Sequence, residues 1–437
     1  MTNIQALYQE KLTTADEAVK LIQAKDTIVY PISPGEPPML HEAIGRLDTL
    51  DHNTLFRMLP MSPSIDVPEE QLKTISIFLS GYDRKDFNER RIDLVPNHFS
   101  DIPSVILMRD ENPIIMATVS PMDENGNFSL GTSVSYVGPL LKQAKHIILE
   151  VNENMPYTFG DLNHIHISDV SALVENNVEL PAAPDPALNE RDLAIGQIIA
   201  DMVEDKDTLQ IGFGSMPNAV MKFLTEKKEI GLHTEMFPDK AVELYEKGVI
   251  TNQHKPFDEG KTVATFAYGS KEMYDFMNYN EDIYMKPCDV TNHFSVISQI
   301  DNLVAINSAV QVDFLGQCNS ERVQDNYYSS TGGQSDFMKG VRLTKNGKGI
   351  ICLYSTAKKD TISTIVPVLH PESPVTTSKN DIDTVVTEYG AAQLKGKTIF
   401  ERTAALIKIA HPKFREELVE EAKKMNYLGQ EATVDSL

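Results

Sequence analysis

Cysteine is scarce in this sequence, and basic residues are outnumbered by acidic ones. Among its 437 residues there are three cysteines, widely spaced and odd in number. This pattern argues against a disulfide framework and indicates a reducing, cytoplasmic location. Lysine and arginine total 40 against 63 aspartates and glutamates, for a formal net charge of −23. We therefore expect no nucleic-acid partner, because such sites need a basic stripe.

Long hydrophobic runs and metal-binding motifs are also missing. No run approaches the roughly 18 apolar residues that a membrane-spanning helix needs, so no membrane partner is expected. The polar N-terminal stretch lacks the apolar core of a signal peptide. No cysteine–histidine cluster has zinc spacing. His164 and His166 would share one side of a strand, but we expect a surface or packing role for them and no metal site.

Two domains are predicted from the length, since 437 residues are too many for one compact core. Three prolines between residues 179 and 186 predict an irregular linker there. We place the boundary at residue 185, which gives predicted domains of residues 1–185 and 186–437.

Continuous apolar segments predict the strands of both halves. Such segments are typical of strands that helices cover on both faces of a sheet, which indicates an α/β fold. The strand candidates are residues 75–79, 104–108, 114–119, 146–151, 209–212, 262–267, 303–306, 349–354, 362–366 and 384–387. Helices are predicted after a capping box at residues 14–17, from about residue 189 to 205, and from residue 412 to about 425.

The sequence also contains an internal repeat. The triplet Lys-Asp-Thr occurs at residues 25–27 and again at 206–208, each time between a helical stretch and a short strand. A glycine-containing loop and a further helix follow in both places. The shared order of helix, turn, strand, loop and helix indicates that an α/β unit has been duplicated.

Chemistry is indicated by one glutamate and two glycine-rich turns. Glu235 lies between an apolar stretch and a Met-Phe pair, so its carboxylate is expected to be partly desolvated and more nucleophilic. Glycine-rich turns at residues 211–218 and 330–337 bracket it, and glycine exposes backbone N–H groups to whatever lies beside it. A carboxylate nucleophile with backbone donors nearby can support acyl transfer. From the residues alone, such a glutamate is more often a capping or surface residue, and a Gly-x-Gly pattern by itself indicates only a tight strand-to-helix turn.

These segments, in this order, resemble the acetyl-CoA hydrolase/transferase family, and more closely its acetate, butyrate and 4-hydroxybutyrate CoA-transferase branch. Further motifs that carry the resemblance lie at residues 119–131, 150–169, 306–317, 386–390, 396–402 and 409–415. The similarity therefore covers nearly the whole chain. It implies two CoA-transferase-type, NagB/RpiA-like α/β domains with the active site in the cleft between them. The second domain is expected to supply Glu235 and most CoA contacts.

The resemblance also implies roles for individual residues. Glu235 is the expected catalytic nucleophile of a ping-pong reaction through a glutamyl-CoA thioester, with the amides of Met216 and Gly333 as candidate oxyanion donors. The other expected CoA contacts are Gly212, Phe213, Gly214, Ser215 and Lys358. The residues expected at or behind the substrate are Asn292, Glu388, Gly35 and Glu36. An Asx turn at Asn292 and a solvated role for Lys358 are the alternatives.

Two positions depart from the family pattern. Lys240 follows Asp239 where the family usually has glycine, and Thr364 stands where arginine is common. Both departures leave the acyl chain and the acceptor acid open. We expect an acyl-CoA and a short-chain carboxylate as substrates, no cofactor beyond CoA, and a homo-oligomer. An acyl-CoA hydrolase on the same scaffold, in which water resolves the Glu235 adduct, is the alternative function, and a non-catalytic CoA-sensing protein is a third.

Overall fold

Helices alternate with strands along most of the chain in this computed structural model, which describes residues 3–183, 187–323 and 326–437. The helices are α1 Asn3–Lys11, α2 Ala15–Ala18, α3 Pro38–Ile44, α4 Gly81–Asn88, α5 Ile102–Leu107, α6 Val137–Leu140, α7 Glu190–Ala200, α8 Ser215–Lys222, α9 Ala241–Glu246, α10 Lys271–Met277, α11 Cys288–Thr291, α12 Phe294–Ile297, α13 Gln334–Val341, α14 Ile399–Ile409 and α15 Pro412–Lys424. Short 3₁₀ helices lie at Val19–Leu21, Phe99–Asp101, Ile167–Asp169 and Val434–Ser436.

The strands are mostly short. They are β1 Thr27–Val29, β2 Asn53–Arg57, β3 Leu72–Ser76, β4 Asp93–Leu94, β5 Ile114–Val119, β6 Asn127–Ser129, β7 His146–Val151, β8 His164–His166, β9 Ala172–Glu175, β10 Thr208–Ile211, β11 Gly231–Leu232, β12 Met236–Phe237, β13 Thr262–Ala264, β14 Phe266–Ala267, β15 Ile283–Met285, β16 Leu303–Ser308, β17 Gln311–Asp313, β18 Cys318–Asn319, β19 Arg322–Val323, β20 Asn326–Tyr327, β21 Lys348–Cys352, β22 Thr356–Ala357, β23 Ile362–Ser363, β24 Ile365–Val366, β25 Thr384–Thr387 and β26 Gly390–Gln393.

The chain divides into two compact units, and neither is continuous in sequence. Unit 1 comprises Met1–Asp185, Glu235–Asp239 and Lys261–Thr291, and unit 2 comprises Pro186–Thr234, Lys240–Gly260 and Asn292–Leu437. The boundary predicted at residue 185 falls in residues 184–186, outside the described ones. The sequence predicts that the second domain carries Glu235, whereas its contacts group it with unit 1, because β12 pairs there with β14.

Unit 1 contains a parallel sheet whose strand order, in the described part of the chain, is β4-β3-β2-β1-β5-β7-β9. In its centre Ile28 pairs with Leu55 on one side and with Ile114 on the other. All six residues of β5 are buried, as expected for a strand that helices cover on both faces. Helices α2 and α3 pack on this sheet through a cluster that includes Ala18, Leu40 and Ile44.

Unit 2 contains a second sheet, with the described order β11-β10-β16-β21-β25-β26. Its strands are parallel except for β26, which returns antiparallel to β25. The C-terminal helices α14 and α15 pack beside it through Leu406, Ile407 and Leu418. Mixed α/β architecture with parallel sheets is therefore confirmed in both units.

The predicted order of elements around both Lys-Asp-Thr triplets is present. Lys25 and Lys206 both adopt left-handed backbone conformations, with φ of 69° and 73°. In both turns the aspartate Oδ2, of Asp26 or Asp207, accepts a 2.8 Å hydrogen bond from the backbone N–H three residues earlier. The two turns thus match in conformation and in hydrogen bonding, which supports the duplication inferred from sequence.

Some predicted elements are wrong or displaced. Residues 104–108 are predicted as a strand, but residues 104–107 lie in α5. An apolar run this short does not distinguish a strand from a buried helix, and Pro103 in the first turn favours the helix. The helix predicted from residue 189 to 205 ends at Ala200. The single strands predicted at 262–267 and 362–366 are each split into two short ones.

Candidate functional site

Glu235 occupies a short stretch between β11 and β12 and is partly buried. Its backbone is fixed, because its carbonyl oxygen accepts hydrogen bonds from the N–H groups of Thr265 at 2.9 Å and Phe266 at 3.2 Å. Both donors belong to unit 1. Partial burial agrees with the predicted partial desolvation of the carboxylate.

The residues that precede Glu235 are anchored within unit 2. The N–H of Leu232 donates to Asn252 Oδ1 at 2.7 Å, and Lys255 Nζ donates to the carbonyl oxygen of Leu232 at 3.2 Å. Thr234 exchanges hydrogen bonds with the backbone of Ile211, each at 3.2 Å. The chain therefore enters unit 1 at Glu235 from a segment that is already fixed.

The first glycine-rich turn, residues 212–214, connects β10 to α8. Gly214 has a φ of 132°, which side chains rarely permit. A Cβ on Gly212 would lie 2.8 Å from the carbonyl oxygen of Ile306, so that glycine is required by close packing. Phe213 between them is 69% exposed. Gly212 and Gly214 therefore do allow a tight strand-to-helix turn, which is the role that the sequence alone indicates.

This turn also leaves the N-terminus of α8 without a side-chain cap. Ser215 Oγ donates instead to Asp192 Oδ1 at 2.9 Å, which holds the hydroxyl away from the helix end. Within the described residues, no side chain accepts from the N–H groups of Ser215 or Met216. Such a helix end is a suitable binding site for an anion.

The second turn has the same character. Gly332 has a φ of 58°, and Gly333 is the N-cap residue of α13. Among the residues that the structure describes, no side chain caps that helix end either. Both candidate oxyanion donors, Met216 and Gly333, thus lie at the beginning of a helix in unit 2.

The other candidate site residues of unit 2 are Asn292, Glu388 and Lys358, and they differ in burial and in hydrogen bonding. Asn292 is fully buried in the short connection between α11 and α12. Glu388 accepts two hydrogen bonds from Ser355, from its N–H at 2.9 Å and from its Oγ at 2.7 Å. Lys358 is exposed and begins three successive residues with positive φ, so its amino group is accessible to an anionic ligand. Glu388 therefore holds the loop that leads to Lys358.

Gly35 and Glu36 lie in unit 1, in the loop between β1 and α3. Thr118 fixes this loop, since its N–H donates to the Gly35 carbonyl at 2.8 Å and its Oγ1 to the Glu36 carbonyl at 2.9 Å. The Glu36 side chain is 6% exposed, and burial raises the pKa of its carboxyl. The structure thus places Glu36 in the same unit as Glu235.

Several polar residues around Glu36 were not found from the sequence. They are fully or nearly fully buried: Tyr30, His41, Arg57, Asp83 and Glu150. They come from different strands, helices and loops, and no periodic pattern or motif links them. The sequence signal was limited to polar residues within otherwise apolar elements, such as Arg57 at the end of β2 and Glu150 within β7.

Neither a metal centre nor a membrane-spanning helix is found in the described ranges. No group of three or more histidine, cysteine or acidic side chains there could hold a metal ion. His164 and His166 contact Thr158 O and Ser168 Oγ, at 3.0 and 2.8 Å. None of the described helices is long and apolar enough to cross a bilayer.

Comparison with known proteins identifies the family. Residues 1–183 match the acetyl-CoA hydrolase/transferase N-terminal domain, and residues 269–422 match the C-terminal domain. This chain belongs to the acetyl-CoA hydrolase/transferase family. The family predicted from the sequence is thereby confirmed, and with it the expectation of an enzyme of the CoA-transferase type.

Individual relatives of the acetyl-CoA hydrolase/transferase family cover nearly the whole chain. Succinyl-CoA:cyclohexane-1-carboxylate CoA transferase of Geobacter metallireducens is 41% identical over 96% of this chain and 96% of its own. 4-Hydroxybutyrate coenzyme A transferase of Clostridium kluyveri is 41% identical over 96% and 98%. The crystal structure of RipA from Yersinia pestis is 36% identical, with a TM-score of 0.90 over 98% of this chain and 100% of that one.

Proposed function

We propose that this protein is a CoA-transferase that moves CoA between a short-chain acyl-CoA and acetate or a similar carboxylate. The observation that carries the proposal is the partly buried Glu235 on a backbone that two amide donors hold in place, in a chain of this family. A carboxylate on a fixed backbone, in a partly buried residue, suits nucleophilic attack.

The proposed reaction is ping-pong and needs no external proton donor. The Glu235 carboxylate attacks the thioester carbonyl, and CoA thiolate leaves as a mixed anhydride forms. The thiolate then attacks the glutamyl carbonyl of the anhydride, which releases the first acid as a carboxylate and leaves a glutamyl-CoA thioester. The incoming carboxylate reverses these two steps and regenerates Glu235. Covalent capture divides one difficult displacement into easier steps.

The amides of Met216 and Gly333 are proposed as oxyanion donors. Each tetrahedral intermediate carries a negatively charged oxygen, and one well-placed donor stabilises such a charge by about 3 kcal/mol. The support is that α8 and α13 both begin without a side-chain cap. Residues 212–216 would contact CoA, and Lys358 would bind one of its phosphates. Asn292 is proposed near the thioester, with Glu388 holding the Lys358 loop.

The test is an exchange assay combined with trapping of the adduct. Acetyl-CoA is incubated with isotopically labelled acetate, propionate or butyrate, and acyl-CoA products are measured by mass spectrometry. Acceptor-dependent exchange supports the transferase. Release of free thiol without an acceptor supports the hydrolase instead. No reaction with or without an acceptor supports a non-catalytic protein.

The glutamyl adduct is tested in the same protein. Hydroxylamine or borohydride after exposure to acyl-CoA should modify Glu235 and inactivate the enzyme, and Glu235→Ala should lose both modification and turnover. Glu246→Ala, at an exposed position of α9, is the matched control and should keep both. A label found on another residue would refute the mechanism.

A further inference from the structure

The strand that supports Glu235 is short and depends on its neighbours. Strands β12 and β14 pair over two residues each, and in the described part of the chain they form a sheet of two strands. A pair of strands is marginally stable by itself, so its position is set by what packs beside it. The two N–H groups that bond to the Glu235 carbonyl come from Thr265 and from Phe266, the first residue of β14. A displacement of β14 would therefore displace Glu235.

The segment at residues 132–135 also bonds to β14 and to the residue before it. Ala267 donates its N–H to the carbonyl oxygen of Thr132 at 2.8 Å. Ser135 donates its N–H to the carbonyl oxygen of Thr265 at 3.1 Å. All of these residues belong to unit 1. The position of Thr132 is thus transmitted directly to β14.

Thr132 is in turn held by a sulfur atom. Its N–H and its Oγ1 both donate to Met155 Sδ, at 3.5 and 3.6 Å. Both residues are buried, and within the described residues no other acceptor bonds to either donor. A thioether is a weak acceptor, and here it is the partner of two buried donors of one residue. Loss of the sulfur would leave both donors unpaired.

The backbone beside the sulfur is shaped for its close approach. Gly131 has a φ of 61°, and a Cβ there would lie 2.4 Å from Met155 Sδ, so only glycine allows the contact. Met155 itself donates its N–H to the carbonyl oxygen of Asn152 at 3.0 Å, and Asn152 donates its own N–H to that of Val119 at 3.0 Å. Since Val119 ends β5, the sulfur is anchored to the seven-stranded sheet.

We propose that Met155 is a positioning residue, whose thioether sulfur fixes Glu235 by accepting hydrogen bonds from Thr132. The contacts run from Met155 to Thr132, from Thr132 to β14, and from β14 to Glu235. The inference rests on the CoA transfer proposed above and adds to it a residue that acts only through others. A shift of about 1 Å in an attacking group can slow a reaction by about a hundredfold, so a remote support of this kind matters for the rate.

An acceptor role and a packing role predict different results for leucine at position 155. Leucine is apolar and similar to methionine in volume, so a packing role tolerates the exchange. Leucine has no acceptor, however, and would leave the N–H and the hydroxyl of Thr132 buried without a partner. Residue 132 would then move toward other acceptors, and β14 would move with it.

The first experiment measures exchange between acetyl-CoA and labelled propionate. In Met155→Leu, kcat should fall by about tenfold while KM for acetyl-CoA and for propionate stays within about twofold of wild type. Met277→Leu, at a fully buried position of α10 in the same unit, is the matched control and should keep the wild-type kcat. An unchanged kcat in folded Met155→Leu overturns this inference alone. Absence of exchange in the wild type overturns the proposed function, and the inference with it.

The second experiment restores an acceptor. Met155→Gln provides an amide oxygen on a side chain of similar length, so its kcat should exceed that of Met155→Leu by about threefold or more. Its thermal unfolding midpoint should be the lower of the two, because the amide N–H groups are buried. A merely structural role makes kcat follow the midpoint instead. Higher kcat in Met155→Leu than in Met155→Gln therefore overturns the inference.

A third variant removes one of the two donors. Thr132→Val deletes the hydroxyl and should lower kcat by about threefold, with KM unchanged. In the double variant with Met155→Leu the two losses should not multiply, because both remove the same contact. Losses that multiply contradict a direct action of Met155 on Thr132. If neither Met155 variant folds, Thr132→Val decides, and a wild-type kcat there refutes the inference.

Discussion

The two parallel sheets share a plan but differ in the helix that follows their Lys-Asp-Thr strand. In unit 1 the carboxylate of Glu150 accepts from the N–H groups of Met39 and Leu40, at 3.0 and 3.1 Å, and so fills the beginning of α3. In unit 2, no side chain in the described residues does the same for α8. One helix end serves the protein's own packing, and the other is available to an anionic ligand.

The turns before these helices are alike, so the difference does not come from the sheets. Lys145 Nζ donates to Asp26 at 2.8 Å, and Lys348 Nζ donates to Asp207 at 3.4 Å, in corresponding positions. The loops that follow differ in length: residues 30–37 in unit 1 against residues 212–214 in unit 2. The two sheets therefore differ mainly in these loops, which are where α/β proteins usually place their binding sites.

The largest expected effect concerns the buried charges of unit 1. Asp83→Ala leaves the fully buried guanidinium of Arg57 uncompensated and should lower the free energy of unfolding by about 3–5 kcal/mol. Asp93→Ala removes an exposed partner of Lys73 and should cost far less. Urea unfolding of both variants measures the difference. Equal losses in the free energy of unfolding would contradict a larger contribution of the buried ion pair to stability.

A smaller effect is expected at the occupied helix end. Burial raises the pKa of Glu150 to about 7, so the folded protein holds this proton at pH values where the unfolded chain has lost it. The contribution of Glu150 to stability is therefore most favourable below its ordinary pKa of 4.5 and declines as pH rises to about 7.

Glu150→Gln should remove this decline. Relative to wild type, its free energy of unfolding should improve by about 2–3 kcal/mol between pH 5 and pH 8. Glu153→Gln, at an exposed position after β7, should show no such trend. Urea unfolding at both pH values provides the measurement, and parallel pH profiles for wild type and Glu150→Gln would contradict it.

The smallest effect is expected from a variant that gives the beginning of α8 a carboxylate, as Glu150 gives the beginning of α3. Met216→Glu places a carboxylate in the first turn of α8, where it would compete with an anionic ligand. The Kd for CoA should rise by about tenfold, or 1.4 kcal/mol, with unfolding unchanged or slightly harder. Met216→Gln has a similar shape without the charge and should bind CoA as wild type does. Calorimetric titration distinguishes them, and equal affinities would exclude α8 from the CoA site.

The sequence predicts the central strands well. A continuous apolar run such as β5, or a mostly apolar one such as β7, is typical of a strand that helices cover on both faces. It also predicts both glycine turns, since Gly214 and Gly332 do adopt positive φ. Prediction fails at residues 104–108, because an apolar run this short has no periodicity that distinguishes a strand from a helix.

The buried polar residues around Glu36 cannot be predicted from the sequence, for a different reason. Tyr30, Glu36, His41 and Arg57 come together only through the parallel pairing of β1 with β2 and the return of α3 onto the sheet. Each residue taken singly has an ordinary alternative role. The resemblance predicts only Glu36 among them, because a loop motif carries it together with Gly35.

The discontinuity of unit 1 has a consequence for how the protein is made. Strands β13 and β14 lie within residues 261–291, and β14 pairs with the β12 strand that directly follows Glu235. A ribosome must therefore release residue 291 before this unit can be completed, by which time 186–234 have already emerged. The seven-stranded sheet of unit 1 lies within residues 27–175 and can form first, but β12 to β15 can join the unit only after the intervening part of unit 2 has been made. A fragment ending at residue 185 would lack Glu235 and the strand that pairs beside it.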